Sequence, residues 1–231
     1  MIGIIGAMDT EVKALVANIK DAEITEYGGL KYYAGSLCGK DVVVVKSGVG
    51  KVNAALCAQY LALHFGVEKI INTGIAGASG KGLGVFDFVV STQAVYHDVD
   101  ITIFGYKKGQ LPGFEQYFTA DKELGEKAVA AFNKSSFAAN HKIVMGTVAS
   151  GDQFIGEKNL KNQIIENFQP MCVEMEGAAI AHACAINKVP FVIIRCMSDM
   201  ADDLSSNGYE FNEGIAAQLS AQVVEKLIEA I

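Results

Sequence analysis

Apolar positions fall into two patterns along this chain. One is a short unbroken run of branched residues that ends on glycine; the other is a longer stretch with polar interruptions at helical spacing. The first pattern predicts buried strands at 2–5, 69–72 and 190–197, with longer strands at 85–95 and 141–149 and a short one at 171–175. Segments 30–37 and 42–46, joined through Gly39 and Lys40, predict a hairpin. The second pattern predicts helices at 9–20, 52–65, 121–137 and 158–168, and a closing helix from Tyr209. In that closing helix Ile215, Leu219, Val223 and Leu227 form an apolar stripe of four-residue spacing. Segment 177–187 (GAAIAHACAIN) is apolar nearly all round and small, which suits a helix buried against a sheet. Strands come first and then alternate with helices, without a proline-rich linker. The expected fold is α/β: a single domain over 1–231 with a mixed central β-sheet flanked by helices.

Against this apolar background, three acids stand out: Glu174, Glu176 and Asp199. Burying a carboxylate without a partner is costly, so acids in core-like runs need a reason. A single one reads as an internal ion pair or a helix cap. Three of them, with Arg195 as the nearby strong cation, point to a site. Glu174 and Glu176 would share a face if strand 171–175 continued through them, because strand side chains alternate. Ser198 and Asp199 sit where strand 190–197 ends, and in open α/β sheets ligands bind beyond the carboxyl ends of strands. Apolar strands run into glycine at Gly6, Gly48 and Gly74, as expected of neighbouring strand ends that let a ligand approach the backbone. Glu11, in the first turn of its helix, reads on its own as a partner of the helix dipole.

Composition narrows the partners. A net charge of −7 with no basic cluster argues against nucleic acid or an anionic membrane surface and favours a small molecule. Apolar runs all fall short of the roughly 20 residues of a membrane span. The first eleven residues lack a basic region and reach Asp9 early, so they read as a first strand and not a leader. Five scattered cysteines and four dispersed histidines predict buried thiols in a reducing cytosol, with no metal site and no cofactor. The glycine-rich turn Ser47-Gly48-Val49-Gly50-Lys51 offers backbone N–H groups but matches neither a P-loop nor a dinucleotide fingerprint. Segment 96–118 is too apolar to be left in water; it reads either as a lid on its own domain or as a subunit contact.

Seven blocks in order, GIIGAMDTEV (3–12), SGVGKVNAA (47–55), NTGIAG (72–77), YHDVDITIFGYKKGQLPG (96–113), SGDQFI (150–155), VEMEG (173–177) and RCMSDMAD (195–202), resemble the nucleoside phosphorylase family over almost the whole chain. Within it they resemble the bacterial nucleosidases that act on 5′-methylthioadenosine and S-adenosylhomocysteine, with 5′-deoxyadenosine and aminodeoxyfutalosine as further substrates. The resemblance implies roles. Glu11 would activate water, Asp199 would protonate adenine N7, and Glu176 would hold the ribose hydroxyls. Met175 would pack on the ribose, Phe154 would stack on adenine with Ile155 at its edge, and Ser198 would position Asp199. Gly77 and Glu174 would face the ligand, with Arg195 in support. Ile101, Phe104 and Pro112 would reach across a homodimer contact made by the 96–118 loop, and either Tyr209 or Phe211 would cap the sugar. Ile75 stands where some relatives carry Ser.

The implied reaction needs what these residues offer. Breaking an N-glycosidic bond passes through an oxocarbenium-like sugar, so the leaving base must be improved, a nucleophile supplied and positive charge tolerated. That requires one carboxyl carrying its proton at neutral pH and another kept ionised. The alternatives are a purine nucleoside phosphorylase and a non-catalytic nucleoside-binding module. Phosphate is usually held by arginine forks, and this chain has one Arg, so water is the expected nucleophile.

Overall fold

The computed structural model describes residues 1–201 and 206–231, with the backbone alone for 206–211. In chain order the elements are β1 (Ile2–Gly6), α1 (Asp9–Ala17), β2 (Lys20–Tyr27), β3 (Leu30–Leu37), β4 (Lys40–Lys46), α2 (Lys51–His64), β5 (Lys69–Ala78), β6 (Phe88–Tyr96), β7 (Phe118–Thr119), α3 (Lys122–Asn133), β8 (Ile143–Ser150), α4 (Lys158–Phe168), β9 (Cys172–Glu174), α5 (Gly177–Asn187), β10 (Phe191–Asp199) and α6 (Ser206–Ala230).

The strands form one mixed sheet, as the pattern of runs predicted. β1 lies parallel between β4 and β5, and β3 and β2 extend the β4 edge in antiparallel fashion. On the other side the pairing closes on itself. β5 is parallel to β10, β10 antiparallel to β6, β6 parallel to β8, β8 parallel to β9, and β9 antiparallel to β5. Because strand side chains alternate, Val43 and Val45 feed one buried cluster and Val42 and Val44 the other. The first cluster lies under α2 and α5, the second under α1, α3 and α6. Each fully buried Val, Ile or Leu adds about 1.5–3 kcal/mol. Both helix layers are thus anchored by the same strands that end at the site.

Several expected boundaries move, for physical reasons. The helix expected over 9–20 stops at Ala17, and Lys20 opens β2, an unpredicted edge strand. β2 is exposed along most of its length, so no buried face imposed a period-two pattern on it. The strand expected over 69–72, running into glycine at Gly74, continues through 73–78 as the second half of β5. Gly74 is there because a Cβ at that position would collide with the Glu11 carboxylate and the Arg195 guanidinium. Ser198 and Asp199 likewise belong to β10 and do not follow it. The closing helix buries Ala217, Ser220, Ala221, Val224, Leu227 and Ile228, while Ile215 is exposed. A strict four-residue stripe drifts around a helix of 3.6 residues per turn, so its first member rotates out to solvent. No helix among the described residues is long and apolar enough to cross a membrane, and the five cysteines are unpaired.

Candidate active site

Strand ends from across the ring border one cavity of about 570 Å³, open mouth included. Ala7, Met8 and Glu11 come from the β1–α1 junction and Val49 from the glycine-rich turn. Ile75, Ala76 and Gly77 come from β5, and Gln153, Phe154 and Ile155 from the loop after β8. Val173, Glu174, Met175 and Glu176 come from the β9–α5 junction, and Ser198 and Asp199 from β10. Every acid expected at the site therefore opens onto it, together with Gly77, Met175, Phe154, Ile155 and Ser198. Ala7, Met8, Val49, Ala76, Gln153 and Val173 were not anticipated. They lie within the sequence blocks given above, but their apolar or neutral side chains carry no chemical signal of their own.

Glu11 is 3% exposed and fully hydrogen-bonded by backbone. Its Oε2 accepts from the N–H groups of Ala7 (2.6 Å) and Met8 (3.0 Å), and its Oε1 accepts from Ile75 N–H (2.9 Å). The Met8 bond caps the first turn of α1, so the reading of Glu11 as a helix-start acid holds in part. Burial raises its pKa, opposed by the Arg195 guanidinium and these N–H donors. A buried carboxyl lifted toward working pH suits a general base.

The two acids of β9–α5 meet by a different route from the one expected. The strand stops at Glu174, and Glu176 occupies the N-cap of α5. Glu174 folds over the helix start and accepts from Glu176 N–H (3.1 Å) and Gly177 N–H (2.8 Å), satisfying donors that a helix N-terminus leaves unpaired. Ser150 Oγ and Arg195 Nη2 also donate to it. Burial alone would push this carboxyl up, but Arg195, Ser150 and Gly177 hold it below the usual range. Its acceptor sites are thus largely taken by the protein itself. Glu176 Oε1 accepts from Gly50 N–H (2.9 Å), leaving Oε2 3.7 Å from Arg195 Nη2. Burial and the neighbouring Glu174 charge push Glu176 up to about 8.

Arg195 is 1% exposed, lies beneath the cavity and also donates to Asn72 Oδ1 (2.8 Å). One guanidinium thus serves Glu174, Glu176 and Glu11, so no second cation neutralises the cluster among these contacts. The glycine-rich turn is occupied too. Gly50 N–H goes to Glu176 and Lys51 N–H to Asp152 Oδ1 (2.8 Å), so donors that could cradle a phosphate hold the protein's own carboxylates.

Asp199 is 7% exposed at the end of β10. Its Oδ2 accepts from Ser198 Oγ (2.8 Å) and its Oδ1 from Ala201 N–H (2.8 Å). Ser198, expected to position Asp199, thus lies in hydrogen-bond contact with it. Phe154 is half exposed at the mouth, while Ile155 is 4% exposed against the cavity wall. Ile101, Phe104 and Pro112 do not line the cavity of their own chain; Phe104 is 75% exposed. Tyr209 and Phe211 lie outside the described residues as far as side chains go, so neither is assigned to the sugar face.

The phosphorylase superfamily model matches residues 1–229. A protein of Staphylococcus haemolyticus named 5′-methylthioadenosine/S-adenosylhomocysteine nucleosidase is 41% identical over 232 residues, covering all of both chains. The crystal structure of the nucleosidase of that name from Neisseria meningitidis, in complex with methylthio-immucillin-A, matches with a TM-score of 0.95 at 36% identity, covering 100% of this chain and 99% of that one. The Colwellia psychrerythraea nucleosidase in complex with adenine matches with a TM-score of 0.94 at 42% identity, covering 98% and 93%.

Proposed function

The chain belongs to the phosphorylase superfamily, and from that premise we propose that it is a hydrolase releasing adenine from 5′-methylthioadenosine and S-adenosylhomocysteine. The observation that carries this reading is the convergence of Glu11, at one end of the chain, and Asp199, near the other, on one cavity. In the reaction we propose, Asp199 gives a proton to adenine N7 as the C1′–N9 bond breaks and its electron pair passes to the base. Water adds its oxygen to C1′ and yields a proton to Glu11. Glu176 accepts from the ribose hydroxyls, Met175 packs on the sugar, Phe154 stacks on adenine and Ile155 borders its edge. The carboxylate-rich floor favours positive charge developing on the sugar ring. The products are free adenine and the free thioribose sugar, with no cofactor consumed.

Water as nucleophile is supported by the occupied donors. Glu11 takes three backbone N–H groups, and the one arginine is buried outside the cavity lining with its Nη2 on Glu174, so a phosphate would meet negative charge and no exposed fork. Adenine release from 5′-methylthioadenosine is expected to run at the same rate with and without phosphate and to give free sugar. Strict phosphate dependence with a sugar 1-phosphate product would overturn this reading.

We also propose a homodimer, in which the 96–118 loop of one copy, with Ile101, Phe104 and Pro112, covers the cavity of the other. Ile103 and Phe104 are 87% and 75% exposed, and α2 presents Val52, Leu56 and Leu63 outward beside Tyr27, which stacks on Tyr60. This exposed apolar surface supports the dimer reading, since large apolar patches are rarely left in water. Light scattering is expected to return twice the chain mass, and a monomer at micromolar concentration would refute it.

A further inference from the structure

The candidate proton donor is held by a turn that contains a conformational oddity. Ala201, two residues past Asp199, is fully buried with φ of +54°, a left-handed conformation that a residue with a Cβ adopts at a steric cost. Its N–H donates to Asp199 Oδ1 (2.8 Å). The carbonyl of the same peptide unit, Met200 C=O, accepts from Lys161 Nζ, which reaches over from α4. A peptide unit is planar and rigid, so holding the oxygen at one end fixes the N–H at the other.

The competing state of such a turn is a flip of that one peptide plane. A flip changes φ of Ala201 by roughly half a turn and returns it to the negative values that residues with a Cβ ordinarily adopt, relieving the strain. It would also remove the N–H from Asp199 and aim a carbonyl oxygen at the carboxyl. Something must therefore favour the strained state. The ammonium of Lys161 does so, because it bonds the Met200 oxygen only in the unflipped orientation, and a charged donor makes a stronger bond than a neutral one. The rest of the wall leaves no slack. A Cβ at Gly77 would lie 2.8 Å from Ala201 Cβ and 2.9 Å from Asp199 Oδ1. Ala201 itself packs in a cluster with Ile155 of the cavity wall and Ile164 of α4.

We propose that Lys161, outside the cavity, is a positioning residue for the proton donor: through the Met200–Ala201 peptide it holds the Asp199 carboxyl in its working orientation. This rests on the reading of Asp199 as the acid. Lys161→Met is expected to lower kcat about tenfold, with KM changed less than twofold, because the sugar and base contacts come from other segments. Lys161→Arg restores most of the loss. In the Ala201→Gly background the left-handed conformation is free of steric cost, so the same Lys161→Met change costs less than about threefold. An unchanged kcat in Lys161→Met, or an equal loss in both backgrounds accompanied by an equal fall in Tm, would overturn the proposal. Asp199→Asn assayed alongside separates the two claims. An inactive Asp199→Asn with a fully active Lys161→Met removes only the role of Lys161, whereas a fully active Asp199→Asn removes both.

Discussion

Asp199→Asn is expected to lower kcat for adenine release about a thousandfold while leaving KM within a few-fold, since general acid catalysis contributes roughly 10²–10⁴ in rate. The amide matches the carboxyl in shape but has no acidic proton to give. It also has one acceptor oxygen where Asp199 uses two, one for Ser198 Oγ and one for Ala201 N–H. A modest fall in Tm should therefore accompany the loss, and a folded protein by circular dichroism keeps the two effects apart. Rates of adenine release under substrate saturation decide it, and retention of more than a tenth of the wild-type kcat would remove Asp199 from the role of acid.

Arg195→Met is the substitution with the largest expected effect on stability. The guanidinium is buried and serves Glu174 directly and Glu176 and Glu11 through space, so its removal leaves carboxylates in a low-dielectric interior. Deleting one partner of a buried pair costs about 3–5 kcal/mol, which in a chain of this size lowers Tm by roughly 10 °C. The loss should depend on pH in a definite direction. Without Arg195 the folded pKa values of Glu174, Glu176 and Glu11 all rise above their ordinary value of 4.5. A carboxyl raised in the folded state contributes stability that is present below its unfolded pKa and lost as pH rises through the folded one. The gap in Tm between wild type and Arg195→Met should thus be smallest near pH 5 and widen toward pH 8. A gap independent of pH would show that the guanidinium acts by packing alone.

Much of this molecule was legible in its order of residues. Alternation and glycine-ended runs announced the buried strands, and the small, apolar 177–187 stretch announced α5 with the bounds the structure shows. The acids of 174–199 stood out because carboxylates do not sit in apolar runs without a reason. Glu11 did not stand out. In the sequence a helix-start acid looks like any dipole partner, and only the fold buries it against Ile75 N–H and beside Arg195. β2 escaped notice because a strand exposed along its length carries no period. The half of β5 beyond Asn72 was not read as strand; there Gly74 yields room to Glu11 and Arg195, residues far away in the chain.

Local sequence thus determined most of the buried strands and helices, and which acids demanded an explanation, since propensity and periodicity act over a few neighbouring residues. The tertiary structure alone decided that Glu174 caps a helix instead of facing out with Glu176, and that Gly50 and Lys51 give their N–H groups to carboxylates. It alone brought Lys161 within reach of the peptide beside Asp199. Apart from the Glu174 cap, which spans three positions, these are contacts between residues separated by tens of positions or more. Their energies depend on distance and burial, which emerge only once the sheet has closed and excluded water.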